Sequence, residues 1–256
     1  MSPDASFLAF DGRWVVVTGA SSGLGRAIAV ELSRHGAGVV LVGRDAARLA
    51  DTAALLGGAP HRTLALDLTS LEAIAPAIAA LKNELGPLYG LCHAAGIVQT
   101  RPLASNTVEL MRVQFDINVY AGLELARAVC RRDVMTPEGG SLLFLSSVYG
   151  RVGMPGQTGY CATKGAVAAA VRALAIELAR RNVRVNCISP GLVHTEMTKQ
   201  SFARLAPEHV RKLEEAHPLG PGQPEDVARA ATFLLAPGTR WITGADLAVD
   251  GGFTAQ

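Results

Sequence analysis

Charge of one sign is what this 256-residue chain lacks first: 24 basic residues stand against 22 acidic ones, a formal net charge of only +2. Neither sign gathers in a block, which excludes a composition-driven nucleic-acid or membrane-surface binder. Long apolar runs are missing too. The most apolar segment, "GAVAAAVRALAIELA", is interrupted by Arg172 and Glu177, too soon for a span of about 20 residues. The start, "MSPDASFLAFDGRW", carries Asp4 and no basic n-region, unlike a secretory signal. Cys92, Cys130, Cys161 and Cys187 are far apart and form no CxxC pair. Reduced thiols in a cytoplasmic protein are expected, with no disulfide and no metal site. Lysine is scarce as well, four against twenty arginines, so each lysine merits a question.

What is there is a regular alternation. Apolar runs at 14–19, 38–43, 62–68, 88–96, 141–147 and 183–189 read as strands, several rich in β-branched residues. Helical spacing follows at 24–36, 45–56, about 107–133 and 158–181. A Thr69–Glu72 capping box predicts another helix, running to about Leu85. Strand-then-helix alternation predicts an α/β fold, a doubly wound parallel sheet of the Rossmann type with helices on both faces. The pattern has no break, repeat or linker, so residues 1–256 read as a single domain. One stretch departs from it: 195–224 has mixed charge, no clear strand and a Pro/Gly-rich end. It is either a flap over a pocket or a surface excursion.

"TGASSGLG" (18–25) ends the first strand and opens the first helix. Gly19, Gly23 and Gly25 allow a tight turn and close backbone approach to a pyrophosphate at the positive end of the helix. In that context the loop, with Ser21, Ser22 and Leu24 between the glycines, is a dinucleotide-binding candidate. At the end of the second strand, "LVGRD", Gly43 takes the place of an acidic ribose ligand and Arg44 follows. A guanidinium there suits a 2′-phosphate, so NADP(H) is favoured over NAD(H); the alternative is a solvated arginine beside Asp45, itself the next helix's N-cap. Asp67 is either a partner for the adenine amino group or a loop cap.

Tyr160 and Lys164 are four residues apart in "GYCATKG", which on a helix puts them on one face. A nearby ammonium stabilises a phenolate and lowers a pKa otherwise near 10, making tyrosine a usable proton donor or acceptor. The spacing alone is common by chance. Here, however, the strand "LLFLSS" ends in Ser146 and Ser147 at the carboxyl edge where open parallel sheets bind ligands.

With these pieces the chain resembles the short-chain dehydrogenase/reductase family over nearly its whole length. The matching motifs, in order, are "TGASSGLG", "FDINVYAG", "SSVYG", "YCATK", "VNCISPGLVHT" and "ITGADLAVDGG". The resemblance implies about seven strands and a tetrad of Asn118, Ser147, Tyr160 and Lys164. Tyr160 would be the acid/base and Ser147 would polarise the carbonyl. Lys164 would lower the tyrosine pKa and hold the nicotinamide ribose, and Asn118 would support a water-linked relay. The dinucleotide would also meet Asp67, Leu68, Ala95, Gly96, Pro190, Gly191, Val193 and Thr195. The segment 195–220 then falls at the family's substrate flap. Expected pocket residues are Ser147, Val148, Tyr149, Met154, Gln157, Leu192, His194, Met197 and Phe202. Two departures stand out. "HAAG" replaces the usual "NNAG", with His93 read as a structural, hydrogen-bonded residue. "PLGPGQPEDVA" is one residue short and lacks an arginine.

The implied function is an NADPH-dependent carbonyl reductase interconverting a ketone and a secondary alcohol. The alternatives are an NAD-dependent sugar, polyol or other secondary-alcohol dehydrogenase and, remotely, a non-catalytic nucleotide-binding regulator. The expected partner is a small carbonyl or alcohol substrate, with neither nucleic acid nor membrane. A homotetramer, or a homodimer, is implied by the same resemblance.

Overall fold

Strands β1 (Trp14–Thr18), β2 (Gly38–Gly43), β3 (His61–Ala65), β4 (Leu88–His93), β5 (Gly140–Leu145), β6 (Val183–Pro190) and β7 (Asp246–Val249) form one sheet. Its order is β3-β2-β1-β4-β5-β6-β7, and every neighbouring pair is parallel. The computed structural model describes residues 7–58, 60–203 and 205–256. Asp4 and Arg204 lie outside the described residues.

The strands are apolar in succession because the sheet is covered twice. Along β1, Val16 belongs to one core cluster while Val15 and Val17 belong to the other, the period-two alternation of a pleated strand. Helices α1 (Gly23–Arg34), α2 (Ala46–Ala53) and α9 (Pro224–Leu235) cover the Val15–Val17 face. Helices α3 (Leu71–Leu85), α4 (Val108–Phe115), α5 (Ala121–Val129) and α6 (Thr158–Leu178) cover the other. The flap region holds α7 (Glu196–Phe202) and α8 (Pro207–Glu215). The order in which strands are added reverses at β1 and β4: from β1 the chain winds outward to β2 and β3, and from β4 it winds the other way to β5, β6 and β7. A crevice opens at that switch, outside the carboxyl ends of the strands.

Two local expectations are corrected. Thr69 does not cap α3: its N–H and hydroxyl both donate to Asp67 Oδ1, at 2.9 and 2.8 Å, and the helix starts after Ser70. The Asx turn of Asp67 claims the threonine first. The continuous helix expected at 107–133 is broken by a π-helical segment, Asp116–Tyr120, between α4 and α5. Hydrophobic spacing does not register such an insertion, because the apolar face resumes on the far side. Asp45 does cap α2, accepting from Arg48 N at 3.1 Å.

Candidate active site

The crevice is a cavity of about 390 Å³ whose wall joins the glycine loop to Ser147, Tyr160 and Lys164. At its base Gly19 has φ +65, and a Cβ there would stand 2.9 Å from the backbone of Ala95. A Cβ on Gly25 would lie 2.3 Å from Gly19 O. These contacts require glycine, and they leave the α1 N-terminus open to an anion. Gly19, Ser21, Ser22, Gly23, Leu24, Gly25, Arg44, Asp67, Leu68, Ala95, Gly96, Pro190, Gly191, Val193 and Thr195, all expected from the sequence, line the cavity. Hydrogen bonds from Thr69 hold the Asp67 carboxyl below its usual range, with the Arg44 charge a smaller cause in the same direction. Asp67 is thus both loop cap and cavity wall.

The strand ends are locked to one another. His93 is buried, with Nε2 3.1 Å from Ile117 O and Nδ1 3.0 Å from the Thr18 hydroxyl. The carbonyl can only accept, so Nε2 carries the hydrogen and Nδ1 accepts from Thr18. Thr18 Oγ1 in turn accepts from Ala94 N and Ala95 N, both at 3.1 Å. Burial pushes the His93 pKa down to about 4, with the Lys164 charge acting in the same direction. The imidazole is a neutral strut that holds the "HAAG" backbone against the glycine loop.

Tyr160 and Lys164 share a face of α6, with Nζ 5.5 Å from the tyrosine ring centroid. Lys164 is buried and donates to Leu145 O at 2.7 Å. Burial draws its pKa down to about 8. Burial also pushes Tyr160 up to about 12, opposed by a hydrogen bond with Ser147. Desolvation of the phenolate is the largest cause of the rise, and Nζ donates to the Leu145 carbonyl. Ser147 Oγ also accepts from Tyr149 N at 3.2 Å. Ser146 plays a different part, its hydroxyl donating to Lys164 O at 2.9 Å and so fastening α6 to the end of β5.

Asn118 sits in the π-helical segment. Its Oδ1 accepts from Ile97 N at 2.8 Å, and its Nδ2 donates to Ile97 O and Thr163 Oγ1, both at 3.0 Å. The carboxamide thus braces the loop after β4 against α6.

Of the expected pocket residues, Ser147 and Met197 line the cavity, whereas Val148, Tyr149, Met154, Gln157, Leu192, His194 and Phe202 do not. His194 turns to a separate groove beside Arg26 and Lys199. The chain is extended there, with Val193 bridged to Gly222, so alternate side chains take opposite sides. Sequence reading missed Arg48 and Glu196, which line the cavity and form an ion pair at 2.5 Å between α2 and α7. Charge was visible at both positions, but their meeting across 148 residues was not.

The family model described as enoyl-(acyl carrier protein) reductase matches residues 19–254. Galactitol 2-dehydrogenase (L-tagatose-forming) of Cereibacter sphaeroides is 37% identical over 247 residues, 95% of this chain and 96% of that protein. An NAD-dependent glycerol dehydrogenase of Listeria innocua is 34% identical over 245 residues, 94% and 93% of the two chains. A solved Agrobacterium tumefaciens structure with bound NADP has a TM-score of 0.88 at 28% identity, covering 97% of this chain and 99% of that one. The chain belongs to the short-chain dehydrogenase/reductase family. It is an NAD(P)-linked oxidoreductase acting on CH–OH and C=O groups.

The cavity fits such a dinucleotide: Gly19 and Gly25 let the loop pack tightly on the backbone of Ala95 and on itself, which sets the N-terminus of α1, with Arg44 and Asp67, in the cavity lining. When bound, the nicotinamide supplies or receives the hydride. Tyr160 is protonated at neutral pH and can donate to a substrate oxygen, while Ser147 can hold that oxygen beside it. Among the described residues no group of three or more His, Cys, Asp or Glu could hold a metal ion. No helix among them is long and apolar enough to cross a membrane.

Proposed function

We propose that the protein is an NADP(H)-dependent carbonyl reductase that interconverts a ketone and a secondary alcohol, with Tyr160 as acid/base. One observation carries the reading: Tyr160, Ser147 and Lys164 line the same cavity as the glycine loop. Ser147 polarises the carbonyl, Lys164 holds the nicotinamide ribose, and Asn118 keeps the loop after β4 in place. Arg44 on the same wall supports the 2′-phosphate choice. Met197, and Thr195–Thr198 around it, support a flap at 195–220 that closes over the substrate.

A second reading, an NAD-dependent polyol dehydrogenase, is favoured by what the galactitol and glycerol dehydrogenases are named for. A panel of ketones and ketoses with NADPH and with NADH, followed by nicotinamide absorbance, tests both. Reduction with NADPH preferred supports the first reading. Preference for NADH, with ketoses reduced to polyols ahead of simple ketones, overturns it. Assembly into a homotetramer or homodimer completes the proposal, supported by exposed Ile176 and Trp241, at 80% and 89%. A monomer by light scattering refutes it.

A further inference from the structure

His217 follows α8 and is only 6% exposed, yet no step of the reaction uses it. Its Nδ1 lies 2.8 Å from Leu213 O, in α8. Its Nε2 lies 3.0 Å from Leu192 N, in the loop after β6. A carbonyl accepts and an amide donates, so Nδ1 carries the hydrogen and Nε2 presents a lone pair. The neutral ring therefore joins the last turn of the flap to the Gly191–Val193 wall of the cavity.

The approach is close. A Cβ on Gly191 would stand 2.8 Å from Nε2, so any larger residue there would push the ring away. The far side of Leu192 is held as well, its carbonyl accepting from Gly222 N at 2.9 Å. The ring face stacks on Phe253, with centroids 4.7 Å apart and planes at 17°. Phe253 meets Tyr149 edge-on at 6.4 Å, and the Tyr149 amide donates to Ser147 Oγ at 3.2 Å. Flap, cavity wall and the turn after the reactive serine thus rest on one imidazole and one phenyl ring.

We propose that His217 is a positioning residue: it fixes the Leu192 amide, and through it the Gly191–Val193 wall, to the end of the substrate flap, with Phe253 as its backstop. The role rests on the oxidoreductase reading given above. It makes flap position and cofactor-wall position one variable, so that loosening either weakens binding of both ligands without touching the proton donor.

The test uses His217→Ala, His217→Asn, His217→Gln and Phe253→Leu in the full chain. Glutamine reaches far enough to offer an oxygen near the Nε2 position; asparagine does not. Hydrogen–deuterium exchange over 190–195, measured without substrate, is expected to rise by roughly fivefold to tenfold in the Ala and Asn variants, the scale of one lost hydrogen bond. His217→Gln is expected to stay near wild type. Phe253→Leu should also raise exchange, and combined with His217→Ala the effects should be less than additive. In turnover, the Ala and Asn variants should raise KM for substrate and Kd for dinucleotide by roughly fivefold to tenfold, leave kcat nearly unchanged, and be rescued by Gln. If Ala fails to fold, the Gln and Asn pair makes the same comparison. Equal exchange over 190–195 in wild type, Asn and Gln overturns the lock. If the exchange pattern holds while no carbonyl compound is turned over by wild type, the lock stands and the assigned reaction is what fails.

Discussion

Replacing His93 by asparagine should remove a specific part of the protein's acid sensitivity. Burial lowers the His93 pKa from 6.5 to about 4, so folding favours the neutral ring. Between those values the unfolded chain binds a proton that the folded chain refuses, and stability therefore rises with pH across that window. As pH falls from 7 to 5, the unfolded state gains most of this proton's free energy. With 1.36 kcal/mol per pKa unit, the loss is about 2 kcal/mol, growing to about 3 kcal/mol by pH 4. For a chain of this size that is roughly 4 to 8 °C in Tm between pH 7 and pH 5. Thermal melts of wild type and His93→Asn at both pH values give the difference, which cancels the contribution of surface carboxylates common to both. The variant should be less stable at pH 7, having lost the bonds to Thr18 and Ile117, yet lose less on acidification. If the two proteins show the same drop between pH 7 and pH 5, His93 is not held neutral and is not the strut described above.

Two further outcomes are expected. Lys164, with its pKa drawn down to about 8, gives up its charge as pH rises through that value, so kcat/KM for reduction should fall above pH 8; Lys164→Met should lower activity throughout and abolish that limb, and a limb that persists in the variant would assign it to another group. Arg44→Ala should weaken NADPH roughly 10- to 100-fold, the scale of a charged hydrogen bond, and leave NADH nearly unchanged; fluorescence titration with both dinucleotides decides, and equal losses would place Arg44 off the 2′-phosphate.

What the sequence made legible is what is local. The turn at Gly19–Gly25, the N-cap at Asp45 and the shared face of Tyr160 and Lys164 depend on residues within a few positions of each other. The parallel sheet is legible for the same reason: each apolar run and its following helix announce themselves by period. What was hidden depends on long-range meetings or on competition. The π-helical break around Asn118 arises where its carboxamide pairs with the Ile97 backbone across the crevice. The Arg48–Glu196 pair and the His217–Leu192 bond join segments whose proximity no periodicity encodes. His194, between the cavity-lining Val193 and Thr195 in sequence, lines an adjoining groove with Arg26 and Lys199, a placement that depends on the fold of the chain after β6. Spacing reveals the charge of Lys164 beside Tyr160 but not the depth of burial, which is the largest cause of the tyrosine's raised pKa.

The proposed chemistry turns on Tyr160 as the proton donor. Tyr160→Phe removes one oxygen from a ring whose packing stays in place. Dinucleotide binding by fluorescence and reduction by nicotinamide absorbance, measured on the same preparation, separate holding from chemistry. NADPH should bind as tightly as in wild type while turnover falls by about 10²- to 10⁴-fold. Turnover within a few-fold of wild type would contradict the assignment of Tyr160.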